Sequence, residues 1–128
     1  MLKSNKLFDD NQLDGCYVIA EAGLNHNGSF EIAKKLIDLA AIAGTNAVKF
    51  QKRTVEKLAI KSSLDAKDDR FPEFGNTYRE IREHLEFTLD QYCELKQHAE
   101  SKGLDFMVTA FDTDAVDFLE KLDLGFYK

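Results

Sequence analysis

Two hydrophobic periods alternate along the chain, one of two residues and one of about 3.6. Tyr17 to Ala22 is a compact run of strand type, and Ser29 then reads as the N-cap of a helix with Glu31 in its first turn. In that helix Ile32, Ala33, Leu36, Ile37, Ala40 and Ala41 share one face, which has to lie against a sheet. Gly44 ends it, and Ala47 to Gln51 is the second strand. From Lys52 to Gly75 the chain is polar and irregular and holds the only proline, Pro72, so it reads as a long loop after a strand. A short helical piece is expected from about Tyr78 to His84. The run Thr88-Leu89-Asp90-Gln91 is a capping-box pattern that opens a helix through Lys102, with Tyr92, Leu95 and Ala99 inward and Gly103 as its stop. Leu104 to Phe111 is the third strand, Asp114 to Leu122 the next helix, and Phe126 to Lys128 the start of a fourth strand.

Strict alternation of strand and helix favours a parallel sheet with right-handed crossovers. Two α/β architectures satisfy it: an open doubly wound sheet, or part of a (β/α)8 barrel. The strand ends discriminate. An open sheet is covered by helices on both faces, whereas a closed barrel has an inside whose upper layer can be polar. Alternate residues place Tyr17, Ile19 and Glu21 on one face of the first strand and Ala47, Lys49 and Gln51 on one face of the second. Met107 and Thr109 pair in this way on the third strand, as do Phe126 and Lys128 on the fourth. Glu21, Lys49, Thr109 and Lys128 therefore converge at one rim. The pattern predicts the N-terminal portion of a barrel, an arc of four parallel strands in the order 1-2-3-4 with helices on the convex side only.

Composition changes this picture little. The 128 residues are 44% hydrophobic and 31% charged, as in an ordinary globular domain. With a net charge of −6 and scattered basic residues, the chain offers neither a nucleic-acid groove nor a surface for anionic membranes. No apolar stretch approaches the roughly 20 residues of a bilayer span, and Leu2 to Asn11 lacks a signal peptide's hydrophobic region. The expected compartment is the cytoplasm, where Cys16 and Cys93, which form no metal-like pair, remain packing or surface thiols.

The segment Ile19 to Gly28, I-A-E-A-G-L-N-H-N-G, together with A-V-K-F-Q at Ala47 to Gln51, T-A-F-D at Thr109 to Asp112 and F-Y-K at Phe126 to Lys128, resembles the sialic acid synthase family. The resemblance runs from about residue 17 onward. It implies a synthase that condenses phosphoenolpyruvate with an N-acetylated aminosugar such as N-acetylmannosamine and releases phosphate. It also implies a divalent metal, Mn or Mg, whose histidine ligands lie on later strands absent from this sequence, and a homodimer in which a small antifreeze-like C-terminal domain reaches the partner's site. On the same ground Lys49, Gln51, Thr109 and Lys128 correspond to phosphoenolpyruvate ligands, Glu21 to the carboxylate beside the reacting carbons, and Asn76 to an asparagine that reaches the aminosugar. Ala110 stands where the family often has proline in T-P-F.

Read from the residues alone, three of these have an alternative. Lys49 fits a solvated strand-end lysine, Thr109 a packed β-branched residue, and Glu21 a salt-bridge partner of Lys49. His26 is expected to fix its loop by hydrogen bonding, Tyr78 to pack under the long loop, and His84 and His98 to face solvent. A (β/α)8 barrel needs about 250 residues. Residues 1–128 therefore correspond to a partial barrel domain, expected to be an inactive fragment of a synthase. The alternatives are a non-catalytic binding or structural remnant, or an unrelated small open-sheet α/β protein.

Overall fold

The computed structural model describes residues 16–128; the segment Leu2 to Asn11 lies outside them. Elements follow in the order β1 (Ile19–Gly23), α1 (Phe30–Ile42), β2 (Ala47–Lys52), a 3-10 turn (Val55–Lys57), α2 (Lys61–Leu64), α3 (Tyr78–His84), α4 (Leu89–Ser101), β3 (Asp105–Ala110) and α5 (Thr113–Glu120). The three strands form one parallel sheet in the order β1-β2-β3. Instead of a fourth strand, the described residues show a single parallel bridge, Tyr127 beside Val108.

Side-chain caps set the helix boundaries. Ser29 accepts from the Ile32 N–H, and Thr88 forms the expected capping box with Gln91. Thr77 forms a second one with Glu80, which starts α3 at Tyr78. Asp112 accepts from Ala115 N–H and so begins α5 at Thr113, a residue earlier than the sequence pattern suggested. Each such cap satisfies an amide that the helix itself leaves unpaired, a contribution of about 1 kcal/mol.

Alternation along the strands then sorts the sheet into two faces. Val48, Phe50, Phe106 and Val108 belong to a core built with Ile37 of α1, Tyr92 and Leu95 of α4, and Leu119 of α5. The α1, α4 and α5 helices thus all pack on this face. The opposite face carries Glu21, Lys49, Gln51, Met107 and Thr109, which the parallel register sets beside one another: Glu21 opposite Lys49, Lys49 opposite Met107, and Gln51 opposite Thr109. Tyr17 and Phe126 meet edge to face with ring centroids 6.5 Å apart, and the Tyr17 hydroxyl donates to Asp105 at 2.6 Å. These contacts close the lower end of the polar face.

β2 extends one residue beyond its expected end, to Lys52. Parity turns Lys52 towards the helices, where its ammonium meets Glu86 at 2.6 Å, the Arg53 carbonyl at 2.9 Å and the Phe118 ring at 4.8 Å. Both members of the pair are nearly inaccessible, with side-chain exposures of 11% and 13%. Removing one charge from such a pair strands the other in a poorly solvated place. Glu86→Leu should lower the unfolding free energy by about 3 to 5 kcal/mol, and adding Lys52→Met should restore most of that loss. Urea denaturation of the two single variants and the double variant measures this coupling.

Candidate active site

The rim of the polar face begins at a bulge. Between Glu21 and Gly23 the β1–β2 register slips by one residue, because Glu21 lies opposite Lys49 while Gly23 lies opposite Phe50. Gly23 has φ of +56°, and a Cβ there would come within 3.2 Å of the Glu21 carboxylate and 3.4 Å of the Gln51 amide. Glycine therefore gives the turn its left-handed backbone and leaves room for the Glu21 and Gln51 side chains to meet.

Glu21 forms an ion pair with Lys49 and accepts a hydrogen bond from Gln51 Nε2 at 3.4 Å. The Lys49 side chain is largely buried, at 10% exposure, while Glu21 is open to solvent at 47%. Burial first, and then the charge of Lys128, push the Lys49 pKa below the ordinary lysine value. The two lysines are thus close enough to repel, and an anion between them would relieve that repulsion. Thr109 stands beside Gln51, and its buried hydroxyl has no hydrogen-bond partner among the described residues. Glu21, Lys49, Gln51 and Thr109 are thus gathered on one face, and Lys128 lies near enough for its charge to reach Lys49. Asn76 is not joined to them. It is exposed in the loop before α3, where its N–H donates to Glu80 at 2.6 Å and its carbonyl accepts from Asp68.

The loop after β1 is rigidly built. His26 is buried, accepts from the Gly28 N–H on Nδ1 at 3.0 Å and packs tilted against Phe87 with ring centroids 4.4 Å apart, the loop-fixing role its sequence context suggested. His84 does more than face solvent: it stacks on Phe74 at 4.6 Å, and its Nε2 lies 3.1 Å from the Asn27 carbonyl. A Cβ on Gly28 would come within 2.4 Å of the His84 carbonyl oxygen, so the two loops close on a glycine. His98 also differs from expectation, because Nε2 meets Asp38 at 2.9 Å and ties α4 to α1. Long-range contacts of this kind leave no trace in local hydrophobic periodicity.

Three residues at the rim escaped the sequence reading. Asp112 both caps α5 and accepts from the Thr54 N–H at 2.7 Å, fastening the loop after β2 to the end of β3. The aspartate of T-A-F-D was the available signal. Arg53 donates to Gln51 Oε1 at 2.5 Å and lies over Phe111 at 3.8 Å, and Arg82 lies over Tyr78 at 4.9 Å. Among the described residues no three His, Cys, Asp or Glu side chains gather to hold a metal ion. No described helix is long and apolar enough to cross a membrane.

Fold and rim together define an α/β protein whose polar groups collect where parallel strands end, the usual place for chemistry in such folds. The NeuB family model matches residues 36–128, and the chain belongs to this family. The N-acetylneuraminate-9-phosphate synthase of Homo sapiens is 39% identical over 113 residues, which cover 88% of this chain and 32% of that protein. The N,N'-diacetyllegionaminic acid synthase of Legionella pneumophila is 38% identical over 109 residues, or 84% of this chain and 30% of the relative. Among solved structures, the N-acetylneuraminic acid synthetase of Leptospira borgpetersenii, in complex with citrate, superposes with a TM-score of 0.65 at 28% identity, covering 87% of this chain and 34% of that one. The chain spans about a third of the length of the curated relatives it matches.

The buried imidazole makes the loop pH-sensitive. Burial, with a smaller contribution from the charge of His84, lowers the His26 pKa to about 4, below its ordinary value of 6.5. Because the folded-state value is the lower one, protonation favours the unfolded chain. The stability that depends on neutral His26 is complete above pH 6.5 and is lost as the pH falls towards 4. The loss should reach on the order of 3 kcal/mol, at about 1.4 kcal/mol per pH unit. NMR titration of the His26 ring should give a midpoint near 4, and a midpoint above 6 would contradict the burial argument.

Proposed function

We propose that this chain forms the phosphoenolpyruvate-binding part of a nonulosonic acid synthase, on the N-terminal portion of a (β/α)8 barrel. Family membership supports the reaction class, and the one-sided helix packing supports the barrel. A groove of Ala20, Ala22, Leu36, Leu39, Ala40 and Val48 runs along the β1–α1 edge, with Leu39 59% exposed. A further strand and helix would cover such an edge. The observation that carries the ligand assignment is the buried, unpartnered Thr109 hydroxyl on the same face as Lys49, whose charge is opposed by that of Lys128. Phosphoenolpyruvate carries a phosphate and a carboxylate, and would replace lysine repulsion with two attractions while accepting the threonine proton.

In the proposed condensation, C3 of phosphoenolpyruvate bonds to the aldehyde carbon of the open-chain aminosugar, and the aldehyde oxygen takes up a proton. Water then adds to C2, giving up a proton, and the C2–O bond breaks to release phosphate. Lys49 and Lys128 hold the anionic groups and offset their charge, which fixes C3 against the aldehyde. Glu21, kept ionised by Lys49, accepts or relays a proton beside the reacting carbons. Gln51 orients Glu21 through its amide. Any divalent ion that polarises the aldehyde would need ligands beyond the described residues, which present no metal-binding cluster.

Two substitutions separate this reading from a purely structural one. Lys49→Met should weaken phosphoenolpyruvate binding by about 2 to 4 kcal/mol, roughly 30- to 1000-fold, measured by titration calorimetry. An affinity within twofold of wild type would remove Lys49 from the site. Thr109→Val should act in two directions. By deleting an unsatisfied buried hydroxyl it should raise the unfolding free energy by about 1 kcal/mol, yet it should weaken phosphoenolpyruvate binding several-fold. A threonine with no part in the site would show the gain in stability but leave phosphoenolpyruvate binding unchanged.

A further inference from the structure

One peptide group in the loop after β1 is held at both ends by histidines. The Gly28 N–H donates to Nδ1 of the buried His26 at 3.0 Å, and the Asn27 carbonyl lies 3.1 Å from Nε2 of His84. A carbonyl oxygen only accepts, so this second contact places the hydrogen on Nε2. His84 comes from α3, 57 residues beyond Asn27, and its ring is itself stacked on Phe74 at 4.6 Å. The fit is close: a Cβ on Gly28 would stand 2.4 Å from the His84 carbonyl oxygen and 2.7 Å from two atoms of its ring.

The clamped group joins the only Asn-Gly pair in the sequence. Asparagine is a thermolabile residue, and a following glycine has no side chain to shield its nitrogen. In such a pair the Gly28 nitrogen can attack Cγ of the Asn27 side-chain amide. An N–Cγ bond forms, the Gly28 N–H proton passes to solvent, and the Cγ–Nδ2 bond breaks. The departing nitrogen takes up a proton and leaves as ammonia, and residues 27 and 28 are left joined in a five-membered succinimide. Water then opens the ring at either carbonyl to give aspartate or isoaspartate, with no oxidant or reductant. Asn27 is exposed, so water reaches it.

The folded backbone opposes that closure. Asn27 has φ of +51°, in the left-handed region where ψ is about +30 to +60°. There the Gly28 nitrogen points away from Cβ, whereas the ring needs it eclipsed with Cβ, close to half a turn of ψ away. Because the peptide group is planar and rigid, this rotation swings its N–H and its carbonyl together. Both histidine contacts must break before the ring can form.

We propose that Asn27 is a latent deamidation site, held closed by His26 and His84, and that release of the clamp converts it to aspartate or isoaspartate. Isoaspartate adds one carbon to the backbone, inside the turn closed by the Ser29 N–H on the His26 carbonyl at 2.9 Å. Conversion therefore undoes the loop that follows Glu21 and cannot be reversed by refolding. The inference stands independently of the phosphoenolpyruvate assignment.

The 128-residue chain is incubated at neutral pH, and the conversion of Asn27 is followed by mass spectrometry of the proteolytic peptide that contains it, with released ammonia assayed in parallel. The expected rate in the native protein is slower by roughly tenfold or more than in the same chain unfolded in guanidinium chloride. His84→Phe keeps a ring against Phe74 and removes the donor, and should speed conversion severalfold while circular dichroism shows the fold retained. Leu119→Val loosens the core on α5 without touching the clamp and should leave the rate unchanged. In the wild type, hydrogen exchange at the Gly28 amide should be protected by roughly a hundredfold, a measurement that needs no variant and decides the matter if His84→Phe fails to fold. The proposal is overturned if native and unfolded chains convert Asn27 equally fast, or if the Gly28 amide exchanges unprotected. It is also overturned if a folded His84→Phe converts no faster than wild type, or if Leu119→Val accelerates conversion as much, since global opening would then control the rate.

Discussion

The alternation of side chains along β2 couples the core to the site. Val48, Phe50 and Lys52 turn to the helices, and Lys49 and Gln51 turn away. Phe50 is fully buried among aromatic rings, with Phe106 at 5.6 Å and His26 at 6.1 Å. Its burial, worth about 2 to 3 kcal/mol, locks the register of the central strand. A shift of one residue would place Lys49 among the helices and Phe50 at the rim. The same packing that stabilises the sheet therefore aims the lysine, and the site needs no separate scaffold.

Polar contacts carry that order outward. Tyr92, buried on α4, donates to the Gln51 carbonyl at 2.7 Å and holds the end of β2 against the helix layer. The Gln51 amide then bridges Glu21 and Arg53 on the other face. Asp112 ties the loop after β2 to the end of β3. Opposite charges are interleaved along the rim, and several donors remain unspent. A folded protein ordinarily pairs its buried donors, and under the proposed function a ligand completes the pairing of the Thr109 hydroxyl.

Much of this was legible in the sequence because it depends on local periods. Ser29 and Thr88 marked helix starts, and parity placed Glu21, Lys49, Gln51, Thr109 and Lys128 on one face. A bulge threatens any such count, but the slip in β1 falls after Glu21, so Glu21, Lys49, Gln51 and Thr109 kept their side, while the fourth strand on which the count for Lys128 relied is reduced to the Tyr127–Val108 bridge. What escaped depends on distance. Lys52 looked like the first residue of a loop, although Glu86, 34 positions later, gives it a buried partner. Arg53 acquired its place from Phe111, far along the chain. His84 acquired its role from Phe74 and Asn27, and Asn76 was placed by the local turn before α3 instead of by the strand ends.

The central claim is that the helix-free face of the sheet holds phosphoenolpyruvate at the strand ends. A crystal structure of the protein with phosphoenolpyruvate bound tests it most directly. The account predicts the ligand's anionic groups within hydrogen-bond distance of Lys49 Nζ and Thr109 Oγ1, with Lys128 on the far side of the ligand. Phosphoenolpyruvate bound elsewhere, with Lys49 still paired only to Glu21 and the Thr109 hydroxyl still unpartnered, would contradict it.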